Sequence, residues 1–247
     1  MYTIIISILD TLNQLLAAGI AITASSLLLY ALSFNLRDRV ARSFALILTC
    51  VVIVYVCDAI GSVVKEPLPL EILLRLQWVG IIFLPAIYFQ FSDSLLATTG
   101  KPSRGRRRLL VRLFYLTSLT FLIILPTHLL VGPLVQGVAP APHLQRTWLS
   151  WIFSLYYLIA IALAGYNSIR AFQRTHTRTS RRRMGYLLVG GLAPALGSYP
   201  YLLFGSEFAT AHTLIFWLLA FLCNIIVSVL LIAMAYAVAF FGVSWPD

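Results

Sequence analysis

The chain has 247 residues, of which 60% are apolar and only 11% charged, and its formal net charge is +10. A soluble domain has about 45–50% apolar and about 25% charged residues, so too few charges exist here to cover so much apolar surface in water. The same excess excludes intrinsic disorder and makes lipid the solvent, so the positive charge has to be interpreted by its placement and not as a nucleic-acid signal.

A bilayer core takes roughly 20 helical residues to cross. Seven stretches meet that length and predict an all-α, polytopic membrane protein, a seven-transmembrane-helix bundle forming a single domain over residues 1–247. The first span, at about 11–34, follows a stretch that contributes no basic n-region, since the first 36 residues contain no Lys or Arg; it reads as a retained anchor and not a cleaved signal. The second, at about 43–64, aligns Tyr55, Asp58 and Ser62 by the i, i+3 and i+4 rule. The third, at about 72–96, puts Gln77, Ile81, Leu84 and Tyr88 on one face and contains Pro85. The fourth falls at about 109–131, and the three-proline segment Gly132–Trp148 after it reads either as a cap on the bundle or as a plain connector. The fifth, at about 149–172, aligns Tyr156, Ala164 and Asn167. The sixth, at about 184–204, holds the run Gly190–Gly197 with Pro194 inside it; the seventh, at about 212–241, aligns Thr213, Trp217, Asn224 and Ser228. Continuous apolar runs such as Val51–Val56 and Ile225–Ala233 lack the alternation of a membrane β-barrel strand.

Charge placement sets an orientation. Arg37, Arg39 and Arg42 lie between spans 1 and 2. Lys101, Arg104, Arg106, Arg107, Arg108 and Arg112 lie between spans 3 and 4. Arg170, Arg174, Arg178, Arg181, Arg182 and Arg183 lie between spans 5 and 6. The other side keeps Lys65, Arg75 and Arg146. Basic loops stay in the cytoplasm, so the expectation is a multi-pass plasma-membrane protein with its N-terminus outside and its C-terminus inside. Asp93 is expected to form a surface ion pair with the Lys101–Arg108 cluster.

Within lipid, helices associate through close packing and hydrogen bonds. Ala17/Ala21, Ala160/Ala164/Ser168, Gly191/Ala195 and Ala193/Gly197 supply the four-residue spacing of small residues. Pro85 and Pro194 each remove a backbone donor inside a span, which marks them as kinks and as candidate hinges. Cys50, Cys57 and Cys223 all fall within spans and read as buried thiols.

Ionisable groups at membrane depth mark function by default. Asp58 is the carboxylate left well inside a span, with Arg75 a candidate partner. Tyr55, Asp58, Gln77, Trp78, Tyr88 and Asn224 form the candidate ligand-binding set, since mixed aromatic and polar faces between helices resemble a small-molecule pocket. Trp78, Trp148, Trp151 and Trp217 equally suit the membrane interface. HExxH, GxSxG, Walker A and GxGxxG are absent, as is a lysine in the last span for a retinal Schiff base. The expectation is therefore no catalytic residue, no metal and no cofactor in this chain, with a membrane transporter or enzyme using Asp58 with His128 or His212 as the alternative.

The stretch Leu76–Phe91 carries Trp78, Gly80 and Pro85 in order, with Phe91 near its inner end. It resembles the third helix of the seven-helix N-terminal sensor region of bacterial histidine kinases. The resemblance implies a sensor module in a two-component system: a small-molecule or membrane stimulus at the outer half of the bundle, a long last helix passing the change inward, and a cytoplasmic signalling domain in cis or in trans, with a homodimer as one arrangement. The residues through Asp247 contain no phosphoacceptor helix or ATP-binding domain, so the resemblance places the output outside them.

Overall fold

The computed structural model describes residues 2–34, 39–100, 105–137, 140–175, 177–190 and 193–241. Arg37, Lys101, Arg104, His176 and Gly191, together with the stretch after Phe241, lie outside the described residues.

The helices are α1 (Tyr2–Phe34), α2 (Arg39–Gly61), α3 (Pro67–Thr98), α4 (Arg106–Ile124), α5 (Trp148–Gln173), α6 (Arg178–Gly190), α7 (Ala193–Leu203), α8 (Glu207–Ala211) and α9 (Thr213–Phe241). Between α4 and α5 run a 3-10 turn (Leu125–Thr127) and two strands, β1 (Val131–Val135) and β2 (His143–Arg146). Among the described residues six helices, α1 to α5 and α9, are long and apolar enough to cross a membrane. Their outer faces leave residues such as Leu15, Ile22, Ile123 and Leu158 about two-thirds exposed, a surface suited to acyl chains and not to water.

Helix α3 is the central element, packed on α2, α4 and α5. Ile81, Ile82, Tyr88, Phe89 and Phe91 are all buried within it. Its face Gln77, Ile81, Leu84 and Tyr88 points inward, as the spacing predicts. The small-residue rows pack as helix–helix contacts: Ala17, Ala21 and Ala24 are buried on α1, and Ala160, Ala164, Ser168 and Ala171 on α5. The three cysteines are free and buried.

Three expectations change. Helix α1 extends back to Tyr2, ahead of the expected span start, so Asp10 is a helical residue. Helix α4 ends at Ile124 and not near 131, because Pro126 starts a 3-10 turn and His128 takes the left-handed conformation (φ 58°). The segment that follows contains the antiparallel hairpin β1–β2, with Val131 opposite Arg146 and Val135 opposite His143. The pairing is irregular between Val131 and Leu134, where Pro133 has no N–H to donate. The sixth expected span is described in two parts, α6 and α7, on either side of residues 191–192, which lie outside the described residues.

Together α6 and α7 run antiparallel to α9. Tyr186 meets Tyr236, Gly197 meets Val227, and Phe204 meets Phe216. The pair thus passes from the arginine-rich end of the bundle to the end covered by the hairpin.

Candidate ligand cavity

The hairpin end encloses a cavity of about 500 Å³, within the range of small-molecule sites. Its walls come from α1, α2, α3, α5, α7, α9 and the hairpin.

The last turns of α2 bring Cys57, Asp58 and Gly61 to the cavity. Tyr201 of α7 donates its hydroxyl to Asp58 Oδ2 at 2.9 Å. Arg75 is not the partner of Asp58. Its guanidinium is bound to Glu71 at 2.9 Å, to the carbonyl oxygens of Leu125 (2.9 Å) and Gly132 (3.2 Å), and to His128 Nδ1. Arginine can only donate, so His128 Nδ1 accepts. Arg75 therefore clasps the exit of α4 and the start of β1, and holds the hairpin over the cavity.

A buried polar chain extends from the cavity wall towards the middle of the bundle. Tyr55 donates to Asn224 Oδ1 at 3.2 Å. Asn224 Nδ2 donates to Asn13 Oδ1 at 3.0 Å. Asn13 Nδ2 donates to the backbone oxygens of Leu9 (3.0 Å) and Trp217 (3.2 Å). Three helices, α2, α9 and α1, are thereby joined side chain to side chain. Gly197 gives the Tyr55 hydroxyl its space, since a Cβ there would lie 3.1 Å from the oxygen. The Tyr55 ring meets Tyr201 edge to face, with centroids 6.1 Å apart, which brings α7 into the same assembly.

Helix α3 adds Gln77 and Trp78. Gln77 Nε2 donates to Val54 O on α2 at 3.4 Å, and its amide also faces Asp58. Trp78 lies against Phe153 of α5 with centroids 5.6 Å apart. On α9, Trp217 is buried against Phe216, and its indole N–H finds no acceptor among the described residues.

The hairpin contributes His143 and Arg146. His143 Nδ1 is bonded to Ala141 O at 2.8 Å, and its ring stacks on Phe204. Gly205 makes this stack feasible: its φ is +72°, and a Cβ there would lie 2.8 Å from the imidazole. Arg146 sits 4.4 Å over the Trp151 ring, and burial pulls its guanidinium below the usual arginine value. Thr147 caps α5 in a capping box with Ser150, and both hydroxyls donate to Leu130 O. The hairpin is thus fixed to α5 as well as to α3.

Of the residues expected from the sequence, Asp58, Gln77, Trp78 and Asn224 line the cavity, and Tyr55 lies beneath it, bonded to Asn224. Tyr88 is buried in the core and is not part of the cavity wall. His128 is held by Arg75, and His212 packs on Phe208, so neither histidine considered as a partner for Asp58 faces the cavity. Asp10, Asn13, His143, Arg146 and Tyr201 are cavity residues that sequence reasoning did not select. Trp148 and Trp151 remain exposed, as interface anchors do, whereas Trp78 and Trp217 turn inward. At the arginine-rich end, Asp93 is 6% exposed and 3.3 Å from Arg107. Asp93 is buried and Arg107 half-buried on α4, so the pair is not the surface contact expected.

Apolar helices packed around a polar cavity define an integral membrane protein. A family model described as the N-terminal 7TM region of histidine kinase matches residues 16–243, and the chain belongs to that family of membrane sensor regions. No curated protein and no solved structure matches it. The motif that carried the resemblance has physical roles in the fold: Trp78 lines the cavity, Gly80 sets the approach of α3 to α2, and Pro85 and Phe91 are buried on α3.

Proposed function

We propose that this region is the signal-input module of a membrane histidine kinase, and that the hairpin-covered cavity is where the stimulus acts. The observation that carries the reading is the chain of hydrogen bonds from Asn13 through Asn224 to Tyr55. It couples the cavity wall to α9, the helix that leads towards the C-terminal end of the region. A ligand that favours one packing of α1, α2, α7 and α9 over another shifts the position of α9 by its differential affinity for the two. In this reading α6 and α7 cross the plasma membrane together as the sixth span. The arginine-rich end is cytoplasmic, and Pro85 and Pro194 are the points about which helices pivot. The output domain follows in cis or is recruited in trans.

The test uses the complete gene product in native membrane vesicles with ATP. Ser62 is an exposed residue of the cavity wall, so Ser62→Trp fills the cavity without opening the core. Expected is a change in phosphorylation of about fivefold or more for Ser62→Trp and for Asn224→Leu, the range of ordinary allosteric coupling. Phosphorylation unaltered by both, with normal membrane insertion, overturns the reading.

A further inference from the structure

The charges in the cavity wall have a pattern that specifies more than a general pocket. Two carboxylates, Asp10 and Asp58, face it, near enough to repel each other. Among the described residues neither has an ion-pair partner. Asp58 receives a hydroxyl from Tyr201 and faces the Gln77 amide, while Asp10 receives one amide from Gln14. A carboxylate offers about four acceptor sites, so both keep unused capacity towards the cavity. Two cations, Lys65 and Arg146, also line it, and neither comes within ion-pair distance of the carboxylates.

Asp58 and Lys65 flank the end of α2: Asp58 lies three residues before it, and Lys65 lies four residues beyond it. Two tryptophans, Trp78 and Trp217, also line the cavity, and the Trp217 indole N–H is a donor without an acceptor among the described residues, on a residue 7% exposed.

A cavity that is neutral in total, holds charges of both signs without ion-pair partners and presents aromatic surface complements a ligand that carries both charges on an apolar body. We infer that the cavity binds a zwitterion with an apolar body, an amino acid or short peptide whose ammonium meets Asp58 and Asp10 and whose carboxylate meets Lys65 and Arg146. A bare amine would leave the two cations unused, and a bare acid would meet two carboxylates, a repulsive arrangement. This assignment rests on the proposed role of the cavity as the stimulus site.

The experiment measures binding to the region in phosphatidylcholine nanodiscs by tryptophan fluorescence, since Trp78 and Trp217 line the cavity. The probes are the dipeptide Phe-Phe, its N-acetylated form, which carries only the carboxylate, and its C-terminal amide, which carries only the ammonium. Phe-Phe is expected to bind about tenfold or more tightly than either single-charge form, the scale of a hydrogen bond to a charged group. Asp58→Asn keeps an acceptor for Tyr201, and it is expected to weaken Phe-Phe and the amide while leaving the N-acetyl form unchanged. Lys65→Met is expected to do the reverse. Equal binding of the three forms, or no binding by any, overturns the zwitterion assignment. The stimulus-site reading falls separately, and only if Ser62→Trp and Asn224→Leu both leave phosphorylation by the normally inserted complete gene product unaltered.

Discussion

Gly80 of α3 faces the carbonyl oxygen of Cys50 on α2 so closely that a Cβ at position 80 would lie 2.8 Å from it, and 2.9 Å from Val54 Cγ2. No side chain fits between these two backbones. The contact seats the central helix against α2, just below the turn that presents Gln77 and Trp78 to the cavity.

Gly80→Ala is therefore expected to force α3 away from α2. Overpacking of this kind costs about 1–3 kcal/mol, and the obstacle is backbone, which has no rotamer to escape into. Gly19→Ala is the control, because a Cβ there meets nothing within 4 Å. Denaturation midpoints in mild detergent should fall for the first variant and hold for the second. Equal midpoints would remove the close approach as a determinant of the fold.

The Asn13–Asn224 contact predicts non-additivity. Asn224→Leu strands the Asn13 carbonyl and the Tyr55 hydroxyl, both buried. Interhelical hydrogen bonds in membranes average about 0.6 kcal/mol, with a maximum of about 1.7. Asn13→Leu combined with Asn224→Leu should cost less than the sum of the single variants, since neither amide is left without its partner. A strictly additive double mutant would mean the contact contributes nothing to holding α1 against α9.

How much of this was readable beforehand depends on what fixes each part. The long helices follow from apolar runs of bilayer length, which are local properties of the chain. Asp58, Gln77 and Asn224 were visible because polar groups at membrane depth are costly and so are informative. Asn13 carried the same signal within the first span, but Asp58, an ionisable group, drew the attention. The hairpin was not legible. Its strands are four and five residues long, one contains Pro133, and its position over the cavity is decided by distant groups: the Arg75 clasp on Leu125 O and Gly132 O, and the Thr147 cap against Leu130 O. His143 and Arg146 became cavity residues only through that fold-back. Tyr201 was hidden for a related reason, since its bond to Asp58 depends on how α7 packs against α2, which the local sequence does not specify. The surface assignment of Asp93 failed because sequence distance from the membrane centre says nothing about how neighbouring helices pack on the group.

Asp93 and Arg107 make a second prediction about pairs. Their side chains are 8% and 19% exposed, so removing one partner leaves a charge with little access to water. Breaking a buried pair from one side costs about 3–5 kcal/mol, whereas replacing both partners by apolar groups is often neutral. Asp93→Leu alone should lower the denaturation midpoint strongly, and adding Arg107→Met should restore much of the loss. A double variant worse than Asp93→Leu would show that the two side chains act independently.

The α6–α7 pair supplies the last prediction, which separates six crossings from seven. Arg174 follows the end of α5 at the arginine-rich end, and Glu207 begins α8 at the hairpin end; both are exposed. Leu129, 58% exposed, marks the hairpin side independently. The native cysteines Cys50, Cys57 and Cys223 are buried and give little background to a membrane-impermeant maleimide. In intact cells Leu129→Cys and Glu207→Cys should label, and Arg174→Cys should label only after the membrane is opened. That pattern requires α6 and α7 to cross the bilayer together, with basic loops inside. Labelling of Arg174→Cys and Glu207→Cys from the same side would mean that the α6–α7 pair re-enters without crossing, and would leave the chain with six spans.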